Sequence, residues 1–225
     1  MISVIIPTLN EQENISGCIE SIKADGGDHE IIVCDGGSSD ATVQIVREYD
    51  DVILIETGKG RGSQMNKGGE AANGEVLLFL HADTKLERGW SRELLSALVD
   101  ESIIGGAFAF RIDNYAMRYR LIESWVKLRC TLFSLPYGDQ GIFVRRGIFD
   151  RTGGYRDIPL MEDVEIIGRL KKEGKLALLK KCAVTRDRRW VRKGWIRASV
   201  SNQMVMLMYK MGIDPHALAR LYYRR

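Results

Sequence analysis

Four short apolar runs, rich in β-branched residues, recur through the first 85 residues: ISVIIPT (2–8), EIIVCD (30–35), VILIET (52–57) and VLLFLHAD (76–83). Amphipathic stretches of about a dozen residues separate them. Repeated alternation of this kind predicts an α/β fold, a mostly parallel sheet with helices on both faces. Asn10, with Glu13 three residues on, reads as a capping box for the first helix, and Ser38, Ser39 or Asp40 as the cap of the second. Gly89 precedes the periodic segment WSRELLSALVDE.

The second half is less regular. GGAFAFRI (105–112), GIFVRR (141–146) and ALLKKCAV (177–184) read as strands. Residues 115–134 and 161–173 read as helices, the second opened by acids. The tail carries WIRASVSNQMVMLMYKM, then Asp214-Pro215 as a cap and first helical position. A length of 225 residues permits one sizeable core and is short for two full domains. The expected organisation is one domain over 1–190, in two halves over about 1–85 and about 86–190. Residues 191–225 form a basic helical extension of it.

The N-terminus lacks the basic and long apolar regions of a signal peptide, and no apolar run is long enough to cross a bilayer. The four cysteines are widely spaced with no C-x-x-C pair, which argues against a zinc or redox motif. A reducing, cytoplasmic setting is expected. The net charge of +3 conceals an asymmetry: residues 186–225 carry +8, and the rest of the chain −5. A basic tail suits phosphates, a lipid surface or nucleic acid, or is simply a solvated face. Apolar stripes in 115–134 and in the Met-rich segment 204–211 suit core packing, a homodimer, or peripheral contact at the inner face of a membrane.

In open α/β sheets, ligands bind beyond the carboxyl ends of the strands. Those ends carry Thr8-Leu9-Asn10-Glu11, Asp35-Gly36-Gly37, Gly58-Lys59-Gly60-Arg61-Gly62 and His81-Ala82-Asp83. Asn10 and Asp40 read foremost as caps. Asp35, after four apolar residues, sits at the sheet rim, where a carboxylate accepts from base or ribose donors. Asp83 ends a buried strand and suits a hard cation bridging two phosphates. The GKGRG segment lacks the phosphate-loop spacing, leaving Arg61 as either a phosphate contact or a solvent-facing side chain. Glu162-Asp163 opens a helix, where acids are common for dipole reasons alone. Arg186, Arg188 and Arg189 beside Trp190 suit a diphosphate.

Taken together, these segments resemble the family 2 glycosyltransferases, which have the GT-A fold; the resemblance covers about residues 2–190. VIIPTLNE is similar to the family's opening strand and nucleotide loop, and VCDGGSSDAT to its second motif. FLHADT sits where the family carries a metal-binding D-x-D, and LMEDVE is similar to its E-D pair. RDRRW fits a Q/R-x-x-R-W pattern of a subset of members, often processive ones. The resemblance implies a nucleotide-binding half over about 1–85 and an acceptor-binding half over about 86–190, with Asp35 on the base and Thr8 and Glu11 lining the nucleotide pocket; as nucleotide contacts beside them, Arg61 can reach a phosphate or base and the His81 imidazole a ribose or phosphate. It implies a divalent metal, Mn²⁺ or Mg²⁺, on Asp83, and Asp163 as general base with Glu162 as second choice. Arg186, Arg189 and Trp190 would meet the diphosphate or acceptor, and Gly106, Asp139 and Gln140 the acceptor. His81 stands where the first Asp of D-x-D is usual, which removes one negative charge from the metal site.

The expected activity is inverting transfer from a nucleotide-diphosphate sugar, a UDP-sugar first, to an acceptor hydroxyl. A sugar nucleotidyltransferase would want a glycine-rich loop after the first strand, where this chain has PTLNEQEN. A non-catalytic nucleotide-sugar binder is the other alternative, and the Glu162-Asp163 pair speaks against it. A nucleic-acid partner, resting on the basic tail alone, is not expected.

Overall fold

A computed structural model of the chain describes residues 1–133 and 135–223, apart from the side chains of Arg189, Arg192, Lys193 and Ile196. The chain opens as β1 (Ile2–Thr8), α1 (Ile15–Lys23), β2 (His29–Asp35), α2 (Thr42–Val46), β3 (Val52–Glu56), α3 (Arg61–Ala71) and β4 (Val76–Phe79). It continues as β5 (Thr84–Leu86), α4 (Trp90–Ala97), β6 (Ile103–Ile112), α5 (Met117–Phe133), β7 (Ile142–Arg145), α6 (Arg146–Thr152) and α7 (Glu162–Glu173). Then follow β8 (Lys175–Thr185), α8 (Arg188–Lys193), α9 (Trp195–Lys210) and α10 (Pro215–Tyr223).

The strands form one eight-stranded sheet in the order β3-β2-β1-β4-β7-β6-β8-β5. β1 to β4 run parallel, so Thr8, Asp35 and the chain leaving Phe79 emerge at one rim. β7 and β5 run antiparallel to their neighbours, while β6 and β8 pair in parallel. Side chains alternate across the sheet. Val4, Ile6, Val33 and Leu78 face one way and pack with Ile15, Ile19 and Ile22 of α1 and Trp90 of α4. Ile5, Ile32, Leu77 and Phe79 face the other way and pack with Met65 of α3, Phe149 of α6 and Ile166, Ile167 and Leu170 of α7. Both faces of the central strands are thus covered, which is why they read as unbroken apolar runs. A separate cluster joins Phe110 and Ile112 of β6 to Tyr119, Val126 and Cys130 of α5, Trp190 of α8 and Ala198 of α9.

Two local expectations are corrected. Asn10 does not cap the first helix: α1 begins at Ile15 after Asn14, and Asn10 takes a left-handed conformation with φ 57°. Its Oδ1 instead accepts from the Ser39 amide at 2.9 Å, tying the loop after β1 to the loop after β2. The fourth apolar run also stops being a strand at Phe79, and the chain turns through 80–83 before resuming as β5. The C-terminal expectation holds: Asp214 Oδ2 accepts from the Ala217 amide at 3.0 Å, and Pro215 is the first residue of α10. The cysteines are unpaired and buried.

Candidate active site

The rim of the sheet is built from backbone and side-chain ties between segments far apart in sequence. The Asp35 carboxylate accepts from the Gly37 and Ser38 amides at 2.9 and 2.8 Å, and from the Thr8 and Ser38 hydroxyls at 3.1 and 2.5 Å. It therefore shapes the turn over Gly36-Gly37, where Gly37 has φ 88°. Gln64 of α3, which sequence reasoning missed, is buried and donates its amide to the Thr8 and Cys34 carbonyls at 2.8 and 2.7 Å. Its polar head holds the ends of β1 and β2 at a fixed spacing.

Arg186 and Arg188 come back to the loop after β1. Arg186 donates to Asn14 Oδ1 at 2.9 Å, and Arg188 lies 3.2 Å from Glu11 Oε1. The antiparallel register of β5 on β8 pairs Thr84 with Thr185, and the Arg186 amide donates to the Asp83 carbonyl at 3.4 Å. An edge ladder three residues long thus sets the acid of one segment beside the arginine of another.

These contacts frame a cleft of about 250 Å³. Arg61, His81, Asp83, Asp139, Asp163 and Arg186 line it, with Trp190 and Tyr137 among its aromatic walls. Tyr222 and Tyr223 of α10 and Asn202 and Val205 of α9 close one side. The cleft mixes cations and acids: two guanidinium groups suit an anionic ligand, and Asp163 remains open to a hydroxyl.

Asp163 sits in the first turn of α7. Its Oδ2 accepts from the Gly138 amide at 2.8 Å and its Oδ1 from the Val164 amide at 2.8 Å. Gly138 belongs to a single 3-10 turn over Gly138–Gln140. A Cβ there would lie 2.9 Å from His81 Nε2 and 3.5 Å from Asp163 Cβ, so only glycine lets this backbone fit between them. Arg129 stacks on the Tyr137 ring, 3.5 Å from its centroid, and fixes the approach to the turn. Met161, just before α7, is left-handed with φ 69°. Such backbone strain collects at functional sites.

Glu162 is buried and forms an ion pair with Arg61, whose side chain is 40% exposed to the cleft side. Burial pushes the Glu162 pKa above its ordinary value; Arg61 pulls it down, and the Asp163 charge pushes it up again. Its Oε2 finds no hydrogen-bond partner among the described residues.

Among the described residues, the other expected site residues lie off the cleft, apart from Trp190. Thr8, Glu11 and Asp35 stand at the same rim but do not line the cleft. Gln140 is buried, donating to the Phe108 carbonyl at 3.0 Å and accepting from Arg129 at 3.1 Å. Gly106 lies inside the sheet, where the Ala177 carbonyl and the Phe143 ring leave no room for a Cβ. Trp190 is largely buried against Phe110 with ring centroids 6.0 Å apart, so it is core as well as wall. The Arg189 side chain lies outside the described residues. Asn202, Tyr222 and Tyr223 also line the cleft, and no local pattern in the sequence marks them.

A sequence model described as Glycosyl transferase family 2 matches residues 3–156. The chain belongs to that family. A PGL/p-HBAD biosynthesis glycosyltransferase of Mycobacterium bovis (strain BCG / Pasteur 1173P2) is 32% identical over 166 residues, covering 69% of this chain and 63% of the relative. The chain thus spans less than two thirds of that relative's length. Glycosyltransferase AglE of Haloferax volcanii is 28% identical, covering 57% of this chain and 46% of the relative. Among solved structures, the fold is similar to the mannosyltransferase PcManGT from Pyrobaculum calidifontis, solved in complex with GDP-Man and Mn²⁺. That likeness has a TM-score of 0.69 at 19% identity and covers 98% of this chain and 69% of the other. It is similar also to S. aureus TarS 1-349 in complex with UDP-GlcNAc, with a TM-score of 0.62 at 18% identity, covering 82% and 58%. The mixed α/β sheet with flanking helices is the GT-A fold of these glycosyltransferases.

For a family 2 member, the donor set at the cleft bears on metal binding. Among the described residues, no group of three or more His, Cys, Asp or Glu side chains forms a closed cage. Asp83 contributes a single carboxylate to the cleft, with His81 beside it. That open set fits a hard cation which keeps most of its coordination for water and substrate phosphates.

Proposed function

We propose that this glycosyltransferase moves a sugar from a nucleotide-diphosphate donor to an acceptor hydroxyl with inversion at the anomeric carbon. The observation that carries the reading is the convergence of Asp83, Asp163, Arg61 and Arg186 on one cleft at the carboxyl rim of the sheet. The solved neighbours named above hold GDP-Man and UDP-GlcNAc, which supports a nucleotide-sugar donor here. A UDP-sugar is the first candidate and a GDP-sugar the second.

In this reading the nucleotide lies along the loops after β1 and β2, which Asp35 and Gln64 shape, and the diphosphate turns into the cleft. Asp83 would hold a divalent cation, which when bound neutralises charge developing on the leaving diphosphate. Arg61 and Arg186 supply positive charge to the same phosphates from the protein side, in fixed positions set by Glu162 and Asn14. Asp163 takes the proton of the attacking hydroxyl as general base, with its carboxylate aimed by the Gly138 and Val164 amides. Attack from the face opposite the diphosphate in one displacement inverts the configuration. Glu162 is bound to Arg61 and buried, so it serves better as the holder of that arginine than as the base.

The test is a thermal-shift series with UDP- and GDP-sugars, with and without Mn²⁺. A ligand at about one hundred times its dissociation constant adds about 2.7 kcal/mol to stability, a readable rise in melting temperature. Asp163→Asn is expected to keep the donor-induced shift and lose transfer by about a hundred- to ten-thousand-fold. Undiminished transfer removes Asp163 from the role, and no shift with any nucleotide sugar removes the donor class.

A further inference from the structure

The face that α5 turns outward is unlike the rest of the surface. Met117, Leu121, Trp125, Leu128 and Leu132 are 75%, 63%, 55%, 48% and 63% exposed. At 3.6 residues per turn they fall within an arc of about 80° along the helix. The opposite face, with Tyr119, Val126 and Cys130, is already used in packing on β6, α8 and α9. The stripe is therefore a second apolar face, and a contiguous patch of this kind marks an interaction surface.

Charge identifies the partner. Arg118 and Lys127 flank the stripe and are exposed. The one acid of the helix, Glu123, is turned inward, 15% exposed, paired with Arg120 at 2.9 Å and accepting from the Ile112 amide at 2.8 Å. α9, whose Ala198 belongs to the same buried cluster as α5, exposes Val200, Met204 and Leu207 with Arg197 and Lys210, and its sequence holds no acid. Apolar stripes on helices whose exposed charges are cations fit the headgroup region of an anionic bilayer, where Trp is also favoured. Two copies meeting through this face would oppose like charges. Among the described residues no helix is long and apolar enough to cross a membrane, so the contact lies in the plane of the surface.

We propose that the outward face of α5 is a docking surface for an anionic lipid membrane. The helix ends beside the turn whose Gly138 amide holds Asp163, so docking sets the cleft close to the bilayer surface. The inference stands apart from the donor chemistry and does not depend on it.

The experiment is flotation of the full chain with vesicles of phosphatidylcholine alone or with one quarter phosphatidylglycerol. Binding is expected on the anionic vesicles, weakened by salt. Each flanking cation is worth about fivefold, so Arg118→Gln with Lys127→Gln should lower binding by about twenty-five-fold. Leu121→Glu with Leu128→Glu should abolish flotation and leave the melting temperature unchanged, because both side chains are exposed. Absence of flotation on anionic vesicles overturns the proposal, as does undiminished flotation of the Glu variant. Light scattering that finds a dimer broken by that variant assigns the face to a second copy and overturns it as well. A retained nucleotide-sugar thermal shift in every variant keeps this outcome separate from the donor reading.

Discussion

At the scale of single residues, Glu162 is the most informative group. Its carboxyl is buried against Arg61, with one oxygen unpartnered among the described residues. Burial raises its pKa above the ordinary 4.5, although Arg61 opposes the shift. A carboxyl raised in the folded state stabilises the fold fully below its unfolded pKa, and that contribution is lost as pH rises through the folded pKa. Glu162→Gln removes this dependence. The melting temperature of the variant minus that of the native chain should therefore grow as pH rises from below 4.5 through the folded value. Differential scanning fluorimetry across that window checks it, and a flat difference contradicts the assignment. The acidic pair was legible in the sequence and the family resemblance ranks Asp163 ahead of Glu162, but the local pattern alone does not separate them. Adjacent residues at a helix start look equivalent until one is seen under Arg61 and the other under the Gly138 amide.

At the scale of elements, α3 is the part that ties the rim together. Gly68 lets it lie close on the sheet: a Cβ there would run into Ile5 and stand 2.9 Å from Cys34 Sγ. One turn earlier on the same helix, Gln64 clamps β1 and β2. Gly68→Ala is expected to cost about 1–3 kcal/mol through overpacking. It should also weaken nucleotide-sugar binding, because the helix carries Gln64 and Arg61 away from the rim together. Melting curves and titration calorimetry read the two effects, and a destabilised variant with native affinity would uncouple α3 from the site. The helix itself follows from the amphipathic spacing between apolar runs, whereas its closeness to the sheet depends on which side Gly68 faces. Likewise β5, three residues long, offers too little pattern to be seen, although its pairing with β8 is what sets Asp83 beside Arg186.

At the scale of the whole molecule, the C-terminal helices complete the cleft. Leu218 of α10 is fully buried with Leu160 and Val205, and this anchor keeps Tyr222 and Tyr223 at the cleft wall. Leu218→Asp buries a charge with no partner among those apolar neighbours and should release α10. Faster trypsin cleavage at Lys210 and a fall in kcat/KM are expected, with the strand signal in circular dichroism retained. Native protease resistance in the variant would mean that α10 is held in some other way.

What the amino-acid order determines by itself is periodic and local. Apolar runs of β-branched residues dictate parallel strands, their ends dictate where acids meet solvent, and Asp214-Pro215 dictates the start of a helix. The rest belongs to tertiary structure. Arg186 meets Asn14 across 172 residues, Arg61 meets Glu162 across 101, and Gly138 meets Asp163 across 25. Contacts at such separations leave no spacing to read, because their geometry depends on strand register and on which face of a helix points inward. That is why the acids of this chain, with Arg61, Arg186 and Trp190, were visible from the beginning, while the partners that fix them and the tyrosines that wall the cleft were decided only by the fold.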